Sequence, residues 1–291
     1  MPFPFFDETK DLDDETRTGA AGSFVTLSDG VTHYELSGPE RRPIVVLIHG
    51  FSTPYFIWEP TFKALTGAGF RVLRYDLFGR GYSDRPRLKY NLDLFVRQLH
   101  DLLDALSISA LVNLIGLSMG GFITAAFTVQ FPERVNKLIL IDPVGTHSVS
   151  FNPLYKIALL PGVSESLLSL AGTERIAKRA ASNFFDPDLI EMFQNQYRVQ
   201  MQFRGFGRAI LSTLRNKVVD GSPEIYQQLG KLSTPVLLIW GRNDHTLPLE
   251  QSRSILNLVP RAEYHVIEGA GHIPHYEQPE QVNPLLIRFL R

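Results

Sequence analysis

Residues 114–122 read LIGLSMGGF. Within them Gly116-Leu117-Ser118-Met119-Gly120 fits G-x-S-x-G, the spacing of a strand that turns sharply into a helix with its central side chain forced out at the tip. A β-carbon at either flanking position of so tight a turn would clash, which accounts for the two glycines. Ser118 is therefore expected at the carboxyl end of a strand. Five residues alone are equally consistent with a glycine-rich turn that happens to hold a serine, so the flanking sequence decides.

Working outward, IVVLI (44–48), RVLRY (71–75), LVNLI (111–115) and KLILI (137–141) are short continuous apolar runs. Strands buried on both faces look like this, which implies a parallel sheet covered by helices. SFVTL and VTHYELS flank the turn Ser28-Asp29-Gly30 and form a hairpin. Apolar residues recur at helical spacing in LDLFVRQLHDLLDALS (92–107), and MGGFITAAFTVQF runs from the serine to a stop at Pro132. The alternation resumes with PVLLIW (235–240), a helix near 249–258, AEYHVI (262–267) and a final helix near 278–290. The expectation is one α/β domain built from 23–145 and 226–291, with a mostly parallel eight-stranded sheet flanked by helices. Residues 146–225 break the pattern. NPLYKIALLPG, SESLLSLAG, RIAKRAASNFF and LIEMFQNQYRVQMQF all read as helices, so an inserted helical cap is expected over the carboxyl edge of the sheet, where open α/β sheets bind ligands. Residues 1–22 form an N-terminal extension whose Phe3, Pro4, Phe5 and Phe6 are expected to dock on their own domain.

Composition narrows the chemistry. The 291 residues carry a formal net charge of -1, with 44% hydrophobic and 20% charged residues, which gives no footing for a nucleic-acid partner. The absence of cysteine excludes disulfides, thiolate metal sites and a cysteine nucleophile. The acidic start lacks the features of an export signal and no run has the length of a membrane span, so a cytoplasmic protein, monomeric or a small homo-oligomer, is expected. The lone GxG of FGRGYSD, which follows Asp76, reads as turn structure rather than as a nucleotide site.

A serine hydroxyl is a weak nucleophile near neutral pH and needs a base oriented by a third group. His272, in EGAGHIPHYEQP, follows the last strand-like run and so lies at the sheet edge of Ser118; His275, three residues on, competes with it. The small residues Gly269, Ala270 and Gly271 favour His272. His245 is read as facing solvent or the cap, and His49 as fixing the turn it occupies. Asp244, after PVLLIW, is the expected orienting acid, with Asp142, after KLILI, as the fallback; its alternative role is as a turn residue before Pro143. The amides of Met119 and Phe51 are the natural donors to an oxyanion. Trp58, with Phe184 and Phe185 of the cap stretch, is expected to line an apolar pocket, and Arg204 or Arg208 to bind a substrate carboxylate.

HGF (49–51), DLFGRGYSD, GLSMGG (116–121), GRND (241–244) and GAGH (269–272), in that order, resemble the α/β-hydrolase superfamily from about residue 23 to the end. The family's serine, acid, histidine order is matched by Ser118, Asp244 and His272. The resemblance implies a serine hydrolase without cofactor or metal, similar to carboxylesterases and monoacylglycerol-lipase-like enzymes, acting on a small-molecule ester with an apolar acyl group. The meta-cleavage product hydrolases, which split carbon–carbon bonds, are also similar, but they place a tryptophan where this chain has Ile273. A binding protein on a hydrolase scaffold is the non-enzymatic alternative.

Overall fold

The computed structural model describes residue 5 and residues 7–145, 159–171 and 174–291. Eight strands form one sheet: β1 (Ser23–Leu27), β2 (Gly30–Ser37), β3 (Ile44–Ile48), β4 (Arg71–Tyr75), β5 (Val112–Leu117), β6 (Val135–Ile141), β7 (Val236–Gly241) and β8 (Glu263–Ile267). Their spatial order is β1-β2-β4-β3-β5-β6-β7-β8. β2 runs antiparallel to both β1 and β4, and every other pairing is parallel.

The apolar runs are continuous because both faces of the sheet are covered. Val45, Leu47, Ile115, Leu117, Ile139 and Leu237 pack into one layer, while Val46, Ile48, Leu114, Leu138, Leu140 and Trp240 pack into the other. Truncating a residue such as Leu114 to alanine would cost roughly 2–5 kcal/mol. The helices of the core follow the sequence pattern closely. Among them, α1 (Asp14–Thr18) precedes the sheet, α2 (Glu59–Gly67) follows β3, and α3 (Leu92–Ala105) follows β4, with Asn91 accepting the Leu94 N–H as its N-cap. α4 (Met119–Gln130) stops before Pro132, which cannot extend it without losing a hydrogen bond.

Between β6 and β7 the chain makes α5 (Val163–Ala171), α6 (Glu174–Ala181), α7 (Ile190–Met201), α8 (Phe206–Arg215) and α9 (Pro223–Leu229). α10 (Gln251–Leu258), α11 (Pro274–Glu277) and α12 (Pro279–Leu290) complete the chain. Most of the helix expected over NPLYKIALLPG lies outside the described residues, and so do Phe3, Pro4 and Phe6. The helix expected to run through RIAKRAASNFF instead ends at Ala181. Among the described residues no helix is long and apolar enough to cross a membrane.

The connectivity places the site. The chain leaves β3 for β4 on one side and returns to β5 on the other. The carboxyl ends of β3 and β5 therefore flank a topological switch point, the usual ligand crevice of an open α/β sheet. His49-Gly50-Phe51 follows β3 and Ser118 follows β5.

Candidate active site

Ser118 adopts φ 54° and ψ -119°, a left-handed backbone that a serine seldom visits. Its neighbours explain why the turn persists. A β-carbon on Gly116 would sit 2.4 Å from the Gly120 carbonyl oxygen, and one on Gly120 would sit 2.3 Å from that of Ile48. The elbow is thus pressed against the end of β3, and only glycine fits at either flank. The Ser118 N–H donates to Ile141 O (2.9 Å), tying the turn to β6. Met119 begins α4, so its N–H is among the first helical amides that lack an intrahelical acceptor.

His272 and Asp244 reach the same edge from β8 and β7. His272 Nδ1 lies 2.7 Å from Asp244 Oδ2, with both residues 4% exposed. Asp244 Oδ1 accepts the amides of Thr246 (2.7 Å) and Leu247 (2.8 Å). These donors hold the carboxylate in one orientation, and the carboxylate in turn fixes the imidazole with Nδ1 protonated and Nε2 as the available base. His275 is directed elsewhere: it is fully buried, stacks on Trp58 at 4.0 Å, and burial pulls its pKa down to about 3. His245 is exposed. Asp142 and Asp244 each bring a carboxylate oxygen within 4.8 Å of a His272 ring nitrogen and of each other. Because His272 Nδ1 and both Asp244 oxygens are already spent on one another and on backbone amides, this cluster has the chemistry of a hydrogen-bond network rather than of a cation site.

The turn after β3 is held from below and above. His49 Nε2 accepts the Leu77 N–H (2.9 Å) while its Nδ1 bonds Gly50 O (2.8 Å), and burial holds the ring neutral with a pKa of about 4. Asp76 accepts the amides of Tyr55 (2.8 Å) and Tyr82 (3.0 Å) and bonds His33 Nδ1 (2.7 Å). Burial works to raise Asp76, but these bonds, led by that of His33, hold it below the usual carboxylate range. Arg80, wholly buried, donates from Nε to Phe51 O (2.7 Å) and from Nη2 to Thr213 Oγ1 of α8 (2.9 Å). Gln200 of α7 donates to Ser52 O (2.7 Å) and accepts the Gly81 N–H (3.0 Å). Two carbonyls of the turn are thus gripped by side chains, one of them from the helical insert.

Comparison with known proteins joins this geometry to a family. Residues 43–279 match the alpha/beta hydrolase fold. The chain is an alpha/beta hydrolase. It is 30% identical over 291 residues to a 2-hydroxy-6-oxononadienedioate/2-hydroxy-6-oxononatrienedioate hydrolase of Paraburkholderia phymatum, covering 96% of this chain and 99% of that one. It is 28% identical to carboxylesterase YbfK of Bacillus subtilis over 92% of this chain and 86% of the relative. Among solved structures, a thermophilic esterase from Thermogutta terrifontis superposes with a TM-score of 0.77 at 25% identity, covering 94% and 98% of the two chains.

Several sequence expectations for this hydrolase need correction. Arg204 is engaged by the N-terminal arm: it donates to Glu8 O (3.3 Å) and Thr9 O (3.4 Å) and pairs with Asp11 (3.0 Å). Arg208 likewise donates to Pro86 O (2.9 Å) and Arg85 O (2.6 Å). One or other was expected to bind a substrate carboxylate; the N-terminal arm engages Arg204 and the 85–86 turn engages Arg208. Trp58 is buried in the core against His275. Phe184 is buried between Phe193 and Tyr276, whereas the Phe185 ring is 49% exposed and its amide is the part that is used.

That amide donates to Glu277 Oε2 (2.6 Å), and Glu277 Oε1 accepts the Gly271 N–H (2.9 Å). Together with His272 N–H donating to Asn183 O (2.9 Å), these bonds stitch the histidine loop to residues 183–185. Sequence reasoning missed Glu277, Arg80 and Gln200. For Gln200 a signal exists: it shares the buried stripe of α7 with Phe193, Tyr197 and Met201, and a glutamine inside an apolar stripe calls for a partner.

Proposed function

We propose that this hydrolase cleaves carboxylic esters through an acyl-enzyme on Ser118. His272 Nε2 takes the Ser118 proton as Oγ attacks the ester carbonyl, and returns it to the leaving alcohol. Asp244 holds the imidazole in the tautomer this needs and stabilises the imidazolium that forms. The amides of Phe51 and Met119 serve the oxyanion of the tetrahedral intermediate, each donor being worth about 2.7–4 kcal/mol of transition-state stabilisation. Water then enters by the reverse sequence and frees the acid. The observation that carries this reading is the buried His272–Asp244 hydrogen bond at 2.7 Å, set at the same sheet edge as a serine held in a strained turn. The aromatic cluster of Phe184, Phe193 and the partly buried Tyr276, beside the histidine loop, supports an apolar acyl group.

Carbon–carbon hydrolysis of a dienoate, as named for the Paraburkholderia phymatum relative, is the second reading. It requires cations for the substrate's carboxylates. Arg204 and Arg208 are both committed to backbone carbonyls, which favours the ester. A panel of p-nitrophenyl esters of graded acyl length beside a ring-cleavage dienoate separates the two. Ester turnover that vanishes in Ser118→Ala supports the proposal; consumption of the dienoate with inert esters would replace it.

A further inference from the structure

We infer that Asp142 holds a proton and donates it to Asp244, so that the acid beneath His272 is a pair of carboxyl groups carrying a single negative charge. This deepens the serine-hydrolase reading and rests on it for its consequence, though not for its test. Asp142 follows β6, adopts φ 40°, and is fully buried. Its Oδ1 accepts the Gly241 N–H at 2.9 Å, while its Oδ2, equally buried, has no hydrogen-bond partner among the described residues. A buried carboxylate oxygen without a donor is costly, and a second carboxylate beside it makes ionisation costlier still.

Counting donors says which of the two keeps the charge. Asp244 receives three, from Thr246 N, Leu247 N and His272 Nδ1; Asp142 receives one. The anion belongs on Asp244. Besides Asp244, Glu277 of α11 acts on Asp142, Tyr264 of β8 interacts with it and His272 lies beside it, and neither the carboxyl nor the phenol supplies a positive charge. Burial and the charge of Asp244 both push the Asp142 carboxyl well above the carboxylate range. A proton placed on Asp142 converts its orphaned oxygen into a donor and satisfies both groups at once. The consequence is mechanical and electrostatic: Asp142 is a positioning residue that locks the Asp244 carboxylate and spreads its charge, so that Asp244 accepts a hydrogen bond from His272 without taking the proton itself.

The test compares wild type with Asp142→Asn and Asp142→Ala. Asparagine keeps an acceptor for Gly241 and offers an N–H in place of the proton, but cannot titrate. At neutral pH, infrared difference spectra should show a protonated-carboxyl band in the wild type that is missing in Asp142→Asn, and the low-field proton resonance of His272 Nδ1–H should be retained in Asp142→Asn and displaced in Asp142→Ala. Ester turnover should stay within about threefold of wild type for Asn and fall at least tenfold for Ala. No carboxyl band lost between wild type and Asp142→Asn would mean that Asp142 is ionised and would overturn the inference. Both spectroscopic readouts are independent of turnover, so an inert ester panel with the band present would remove the ester reading and leave the carboxyl pair standing.

Discussion

Ser118 is held in a backbone conformation that costs a residue of its kind roughly 1–3 kcal/mol, and it persists because Gly116 packs against Gly120 and Gly121 at the start of α4 while Gly120 packs against the end of β3. Replacing Ser118 or His272 by alanine should lower kcat by about four to six orders of magnitude while leaving thermal unfolding nearly unchanged, as checked by steady-state kinetics and calorimetry on the same samples. His275 belongs to stability instead. Its folded pKa is depressed to about 3 by burial, so between there and its unfolded value near 6.5 the unfolded chain binds the extra proton. Stability from this group is therefore full above the unfolded pKa and is lost as pH falls. Relative to His275→Asn, which cannot titrate, the wild type should lose roughly 2.5 kcal/mol between about pH 7 and pH 4.5, measured by denaturant unfolding at each pH. A difference that stays constant with pH would show that the ring is not buried as described.

At the scale of elements, the helical insert and the turn after β3 are one mechanical unit. Gln200 spans Ser52 O and the Gly81 amide, and Arg80 joins Phe51 O to Thr213. Gln200→Ala should lower kcat/KM about tenfold, or about 1.4 kcal/mol, chiefly through kcat, and should weaken binding of a trifluoromethyl ketone that mimics the tetrahedral state. Unchanged affinity for that inhibitor would confine Gln200 to a structural role. The N-terminal arm supports the same unit from outside, since the Glu8 carboxylate accepts the amides of Gly205 and Gly207 (2.6 Å each) at the start of α8 and the Lys10 N–H donates to Gln202 O (2.9 Å). Glu8→Ala leaves two amides without their charged acceptor and should destabilise the protein by roughly 1–3 kcal/mol, read as a shift in the denaturant midpoint. What was readable from sequence follows from locality. The central strands declare themselves because burial on both faces writes unbroken apolar runs, and the loops that carry Ser118, Asp244 and His272 lie just beyond the ends of β5, β7 and β8. Gln200 with Ser52 and Glu8 with Gly207 are separated by 148 and 199 residues, so no periodicity links them. The partners of Arg204 are hidden for the same reason: Glu8 and Thr9 lie 196 and 195 residues away, in the arm.

For the molecule as a whole, the doubly covered sheet supplies rigidity and the order of β3, β4 and β5 supplies the switch point, while the helices α5 to α9 enter from the connection after β6. That connection packs Phe184, Phe193, Tyr197 and Phe206 against one another. The most direct measurement is intact-mass and peptide mapping after exposure to a fluorophosphonate. One adduct per chain, located on Ser118 and missing in Ser118→Ala, is the result this account predicts; an unlabelled wild type, or an adduct on any other residue, would contradict it.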